Sequence, residues 1–173
     1  SEWVCLADPV TGEYCFPLPS EWSRDSYSVR FSFGKAEFDT AGEISTHAEV
    51  YVPKEEDAKV TRLTIRNTGG GRRLKIYYGI RPMLSEQNEA ERRGIVTEWR
   101  DGALCAHSPL NPWIPGCAYA AIPGYRTHGT GDAGEALGIF GQELPAGIWA
   151  AELSGKTGAG MDPYLLLSAE FYI

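Results

Sequence analysis

The chain has 173 residues, of which 43% are hydrophobic and 12% aromatic, so it has enough apolar residues for one folded domain and is not disordered. Its 16 basic and 23 acidic side chains give a formal charge of −7, which disfavours nucleic acid and anionic membranes as partners but does not repel a neutral sugar. No apolar run approaches the roughly 20 residues that span a bilayer, and the longest, 164–169, fits a buried strand.

Alternation of apolar and polar residues recurs along the chain and predicts β-strands. Residues 27–33 place Tyr, Val and two Phe side chains on one face, and residues 44–52 have an apolar and a polar face. Two further alternating runs flank residues 68–72, whose three glycines predict the turn of a long antiparallel hairpin. The last run, 165–171, predicts another strand.

One segment departs from this pattern, because residues 85–93 are polar on every side and carry Glu/Arg pairs at helical spacing. It predicts either a short exposed helix or a loop. Many strands, 20 glycines and 11 prolines at the breaks, and no alternating βα units predict an all-β fold: a single antiparallel β-sandwich with at most one short helix. Both ends of the chain fall inside predicted strands, which indicates one domain, 1–173, excised from a longer chain.

The four cysteines lie among apolar or aromatic neighbours, and no two form a C-x-x-C pair. This spacing lacks the usual zinc and redox signatures and favours buried free thiols in a reducing compartment. A Cys5–Cys15 bridge across a first hairpin is the alternative. The three histidines are scattered along the sequence, and we predict no metal site.

Five short polar motifs occur between the predicted strands. They are Asp-Pro-Val-Thr-Gly-Glu (8–13), Tyr-Ser-Val-Arg-Phe-Ser-Phe-Gly (27–34), Thr-Glu-Trp-Arg-Asp-Gly-Ala-Leu (97–104), Ser-Pro-Leu-Asn-Pro (108–112) and Gly-Thr-Gly-Asp (129–132). In order and spacing they resemble the N-terminal β-sandwich, of the supersandwich type, of glycoside hydrolase family ninety-four. That family contains cellobiose and chitobiose phosphorylases and cyclic β-1,2-glucan synthases, and was once classed among the glycosyltransferases.

The resemblance has local departures. Phe31 and Ser32 replace a His-Gly pair of the family, Lys35 replaces a Tyr, and residues 14–17 replace a Trp-Ser-Pro-Thr-type stretch. Any role of the replaced histidine does not carry over. The resemblance also implies that residues 129–132 form a turn, followed by a strand at 136–138.

Residues that could bind a sugar are concentrated in the loop 108–113. Asn111 offers a hydrogen-bond donor and an acceptor for hydroxyls, and the Trp113 ring could stack on the C–H face of a pyranose. We predict that Trp99 and Tyr125 add further ring surface, whereas the alternative is that these rings belong to the core or its rim. Other candidate stacking rings are Trp22, Trp149 and Tyr119.

We assign no catalytic residue. Glu98 and Asp101 are an acid pair at a predicted hairpin end, where nothing local would desolvate either carboxyl group and raise its pKa. In the family, the general acid lies on a separate helical barrel, for which this chain has no sequence. The resemblance therefore implies an inactive accessory domain that requires no cofactor.

The resemblance implies a parent that is an inverting phosphorylase, with inorganic phosphate as a co-substrate not bound here, or a cyclic β-1,2-glucan synthase. The expected partners are the catalytic barrel, a β-glucan or β-linked disaccharide, and a second copy in a homodimer; the expected location is the bacterial cytoplasm. Two alternatives remain: an autonomous carbohydrate-binding module, and a purely structural interaction domain with an exposed apolar patch.

Overall fold

A computed structural model describes residues 2–84, 94–109, 116–138, 143–160 and 162–173. Within these ranges the chain is mostly antiparallel β-strand, as predicted from the alternation. The strands are, in chain order, β1 (Glu2–Ala7), β2 (Tyr14–Cys15), β3 (Ser28–Ser32), β4 (Lys35–Thr40), β5 (Ile44–Tyr51), β6 (Val60–Asn67), β7 (Arg73–Ile80), β8 (Val96–Arg100), β9 (Ala103–His107), β10 (Ala118–Ala120), β11 (Thr127–Asp132) and β12 (Pro163–Tyr172). A short helix α1 (Ala133–Leu137) and a 3-10 helix η1 (Ala146–Trp149) complete the described elements.

The strands form three sheets. Sheet A has the order β11-β12-β7-β1-β2, sheet B the order β3-β4-β5-β6, and sheet C the order β10-β9-β8. Sheet A is the centre of the molecule, and its two faces are covered by different parts of the chain. We call them the helix face, which carries Trp3, Tyr77 and Leu166, and the sandwich face, which carries Leu6, Tyr78 and Leu167.

The helix face packs against α1, η1 and the segment that follows β2. Trp3, completely buried, lies between Phe16 and Trp22 and donates its indole Nε1–H to the Tyr164 hydroxyl at 2.6 Å. Ile148 of η1 belongs to the same buried cluster. Aromatic edge-to-face packing and a satisfied indole N–H together anchor this half of the core.

The sandwich face packs against sheets B and C. Leu165 and Leu167 of β12 contact Leu104 and Ala106 of β9 in a second buried cluster. A cavity of about 330 Å³ lies where the three sheets meet, and its lining includes Tyr78 of β7. Each sheet therefore presents one apolar face to this interior, as expected for a sandwich.

The predicted hairpin around residues 68–72 is wrong. The strands on either side of this turn are both present, but β6 pairs with β5 in sheet B, whereas β7 lies in sheet A between β1 and β12. Both edges of β7 are therefore occupied by strands distant in the sequence, and residues 68–72 carry the chain from one sheet to the other. Glycine-rich turns permit a tight reversal, but they do not impose strand pairing across it.

Two other local predictions have different outcomes. The turn at 8–13 is confirmed: Asp8 Oδ1 accepts the backbone N–H of Val10 at 2.8 Å and of Thr11 at 3.1 Å, and Gly12 has a φ of 76°. The turn implied at 129–132 is instead part of β11, and the strand implied at 136–138 overlaps α1. Asp132 caps this helix by accepting the Gly134 N–H at 3.0 Å, which is typical of a helix start.

All four cysteines are free, so the structure contains no Cys5–Cys15 bridge. Burial raises the pKa of the Cys5 thiol and raises that of Cys15 to about 12. Cys5 and Cys105 are buried, whereas Cys15 is half-buried and Cys117, which precedes β10, is exposed, contrary to the expectation that all four are buried. The segment 85–93, predicted as helix or loop, lies outside the described residues.

Candidate functional site

The structure places two of the four predicted sugar-binding residues. Trp99 on β8 is half-buried and packs against the cluster that contains Leu104 and Leu165, so it has a role in the core. Tyr125 is half-exposed beside Phe171, with ring centroids 6.0 Å apart. The two rings do not pair with each other in the described part of the chain. Their sugar contacts stay predictions.

Asn111 and Trp113 lie outside the described residues, between the end of β9 and the start of β10. Among the alternative stacking residues, Trp22 packs on the buried Trp3, whereas Trp149 and Tyr119 are substantially exposed.

The two acidic residues Glu98 and Asp101 have structural roles, Asp101 in a hairpin turn and Glu98 in an ion pair. Asp101 has a φ of 50° and Gly102 a φ of 81°, the left-handed backbone of a two-residue turn between β8 and β9. Glu98 forms an ion pair with Arg100 and lies 3.7 Å from His107 Nδ1. Both acids therefore have local partners or turn roles.

An exposed apolar surface lies on sheet B. Val29 and Phe31 of β3 share one side of the sheet with Phe38 of β4, and the Phe31 and Phe38 rings meet edge to face at 6.4 Å. Phe31 is 77% exposed, and Phe33, in the β3–β4 turn, is fully exposed. We call Val29, Phe31, Phe33 and Val52 the sheet-B patch.

The sheet-B patch lies at the outer edge of its sheet. β3 is an edge strand with all five residues exposed, and continuing the β4–β5 register one step places Val52 beside the β3–β4 turn. In contrast, Ala48 in the middle of the sheet is completely buried. Sheet B therefore has a covered centre and an uncovered apolar margin. An exposed edge strand with large apolar side chains is a common binding surface for another polypeptide.

The opposite side of sheet B is charged. Lys35 Nζ lies between Glu37 Oε1, at 2.8 Å, and Glu49 Oε1, at 2.9 Å, while Arg30 and Arg62 contact the outer oxygens of the two carboxylates. The hydrogen bonds from Lys35 hold the pKa of Glu37 and of Glu49 below the usual glutamate range, and they raise the pKa of Lys35. This charged ladder makes one side of the sheet polar, and the apolar side is the one available for packing.

Three side chains of this ladder could hold a cation. Ligand atoms of Glu37, His47 and Glu49 lie within 4.8 Å of one another. The Lys35 ammonium already binds both carboxylates, and His47 Nδ1 is 2.7 Å from Asp39 Oδ1. The lysine thus supplies the positive charge that a metal ion would bring, so the cluster is fully explained by ion pairing.

A sequence profile of the glycosyl hydrolase 94 supersandwich domain matches residues 1–173, the whole chain. The chain belongs to this family. The supersandwich domain is also 28% identical over 183 residues to the cyclic β-(1,2)-glucan synthase NdvB of Rhizobium meliloti (strain 1021). That alignment covers 99% of this chain and 6% of the relative, so the supersandwich domain spans a small fraction of the curated protein it matches.

One aspect of this supersandwich domain was not apparent from its sequence. The alternation placed Val29 and Phe31 of β3 correctly on one face, and Phe33 follows in the β3–β4 turn, but alternation alone does not tell whether a face is covered. Only the register of sheet B shows that this face extends to an open edge. In the described residues, no helix is long and apolar enough to cross a membrane.

Proposed function

We propose that this chain is the accessory supersandwich domain of a multidomain carbohydrate-active enzyme related to the cyclic β-(1,2)-glucan synthases. One observation carries the proposal: the whole chain matches a single domain family, yet it aligns with only 6% of a glucan synthase. In this proposal the chemistry resides elsewhere in the parent chain. The parent's general acid lies on a helical barrel, and any inorganic phosphate binds there.

The role we propose is to support the catalytic barrel through the sheet-B patch. Burying a Phe side chain contributes about 1.5–3 kcal/mol, so Phe31 and Phe33 together would supply a substantial part of an interdomain contact. Among the described strands, β3 has a neighbour on one side alone, and its outer edge offers backbone groups that a partner strand or loop can satisfy. A second copy of the domain, as in a homodimer, is the competing occupant.

The parent's reaction is proposed from the family resemblance and the similarity to the glucan synthase. It is either the formation of a β-1,2-glucan or the inverting, phosphate-dependent cleavage of a β-linked disaccharide. We propose a bacterial cytoplasmic location, which the four free cysteines support because disulfides are rare in reducing compartments.

Two assays test this function. The isolated domain is expected to release no sugar phosphate from β-linked gluco-disaccharides in the presence of inorganic phosphate, and to elongate no β-glucan. Turnover by the purified domain that persists through repeated chromatography would overturn the accessory role.

The docking role is tested by titrating the domain with the separately expressed remainder of the parent chain. The double variant Phe31→Ser/Phe33→Ser is expected to weaken association at least about tenfold, because it removes more than about 1.4 kcal/mol of contact energy. Tyr119→Ser, at a 55% exposed residue outside the patch, is the matched control. Equal affinities for the wild type and the double variant would rule out the patch as the docking surface. Concentration-dependent dimers that the double variant abolishes would assign it to a second copy.

A further inference from the structure

Among the described residues, the cover over the helix face of sheet A is uneven. Its upper rows, such as Trp3 and Leu166, lie beneath α1 and η1. Among the described residues, its lower row runs across the sheet from the buried Ala7 through the half-buried Lys75 to the exposed Glu170. This row forms the floor of a groove.

Two adjoining cavities define this groove, with volumes of about 390 Å³ and 410 Å³. They share Lys75, Ala151 and Glu170 in their linings, so the two cavities adjoin at the Lys75–Ala151 contact and follow one another across the strands of sheet A. Strands are about 4.8 Å apart, and the four strands from β1 to β11 therefore give a floor roughly 14 Å long. This length suits a short chain of sugar rings rather than one small molecule.

One end of the groove is aromatic. Trp149, the last residue of η1, lines it and is 48% exposed. Its ring packs edge to face on Tyr14 at 6.1 Å, and Tyr14 packs in the same way on the buried Phe16. The indole is therefore held by a chain of rings while part of its surface remains free. A fixed, exposed indole is a suitable platform for the apolar face of a pyranose.

The floor of the groove is polar and nearly balanced in charge. Lys75 Nζ donates to the Ala151 carbonyl at 2.7 Å, which fixes the ammonium between the sheet and the segment after η1. Arg73 Nε lies 3.3 Å from Glu170 Oε1. These contacts hold cationic donors and a carboxylate acceptor in place, and the charges offset each other. Fixed donors and acceptors of both kinds suit neutral hydroxyl groups.

The far end of the groove carries a histidine paired with a carboxylate. His128 Nδ1 lies 2.7 Å from Glu152 Oε1, and Arg126 lies beside them in the lining. When Nδ1 donates to Glu152, the neutral imidazole presents Nε2 as an acceptor. The groove thus has an aromatic platform at one end and polar side chains along the rest.

We propose that this groove binds a neutral β-linked gluco-oligosaccharide, with one ring on Trp149 and hydroxyls contacting Lys75 and Glu170. The choice of sugar rests on the family membership and on the proposed function. The binding site itself is separate from the sheet-B patch. In this arrangement the domain holds part of the glycan chain while the catalytic part of the parent acts on another part.

The test is a titration of the isolated domain with β-1,2-linked gluco-oligosaccharides, followed by amide chemical shifts in NMR spectra. We expect saturable shifts around Lys75 and Glu170. Trp149→Ala and Glu170→Gln are each expected to weaken binding at least about tenfold, and Met83→Ala, at an exposed apolar residue outside the groove, to leave it unchanged. Circular dichroism and thermal melts verify that each variant is folded, and Glu170→Gln keeps the test informative if Trp149→Ala unfolds.

Each outcome decides the proposal. No shifts with any β-linked oligosaccharide would overturn it, and so would binding that survives Trp149→Ala and Glu170→Gln but is lost in Trp113→Ala. Binding of inorganic phosphate or sulfated sugars in place of neutral ones would also contradict it. Because the measurement uses the domain alone, a negative result here leaves the docking experiment with the rest of the parent chain untouched.

Discussion

Replacing Gly79 with alanine should destabilise the domain although alanine normally favours folding over glycine. A Cβ on Gly79 would lie 2.6 Å from both Cζ2 and Nε1 of Trp3, far inside van der Waals contact. The Trp3 ring has little freedom to move, since it is completely buried between Phe16 and Trp22 and its N–H is bonded to Tyr164. Overpacking of this kind costs about 1–3 kcal/mol.

Thermal melting and urea denaturation, with the m-value of the variant equal to that of the wild type, measure this decrease in the free energy of unfolding. In a domain of this size, about 1–3 kcal/mol lowers Tm by roughly 2–12 °C. Gly70→Ala is the matched control, because a Cβ there meets nothing within 4 Å, and it should be neutral or slightly stabilising. In a Trp3→Phe background, which removes the crowded indole atoms, Gly79→Ala should cost measurably less. A Gly79→Ala variant at least as stable as the wild type would refute the argument that Trp3 requires glycine at this position.

Three other measurements test separate features. The pKa of Glu37 is lowered in the folded state. Its contribution to stability should therefore be present above the ordinary glutamate pKa of about 4.3 and be lost as the pH falls through the lowered value. Lys35→Met should shift the NMR-monitored titration of Glu37 to higher pH. A thiol reagent should modify the exposed Cys117 quickly in the native domain but modify Cys5 only after unfolding, and equal rates would contradict the described burial. Gly102→Ala should destabilise the domain by about 1 kcal/mol in a denaturation experiment, because φ at this turn is 81°.

Much of the strand content could be predicted from the sequence, because a period of two is imposed on each strand by its own backbone. The runs at 27–33 and 44–52 correspond closely to β3 and β5. Pairing could not be predicted in the same way. β7 pairs with β1 and β12, which are remote in sequence, and local turn residues carry no information about those partners.

The functional surfaces were harder to predict than the strands. The sheet-B patch is the part of an apolar face that the other sheets leave exposed. The packing of the sheets decides which part this is, and the periodicity of the sequence does not show it. The groove on sheet A combines Lys75 and Glu170, from two strands, with Trp149 of a short helix. The sequence identified Trp149 as a candidate stacking ring, but it could not indicate that polar side chains from remote strands lie near it.

The way sheets A and B are assembled has a consequence for folding order. Sheet B consists of four consecutive strands, each paired with its neighbour in the chain, so its contacts span short loops. Sheet A instead needs β12, and the Trp3–Tyr164 hydrogen bond closes a separation of 161 residues. Since loop-closure entropy slows long-range contacts, sheet B should form first and sheet A last. During synthesis, sheet B would therefore be folded, with its phenylalanines exposed, before β12 completes sheet A. The chain most needs protection from aggregation between these two events.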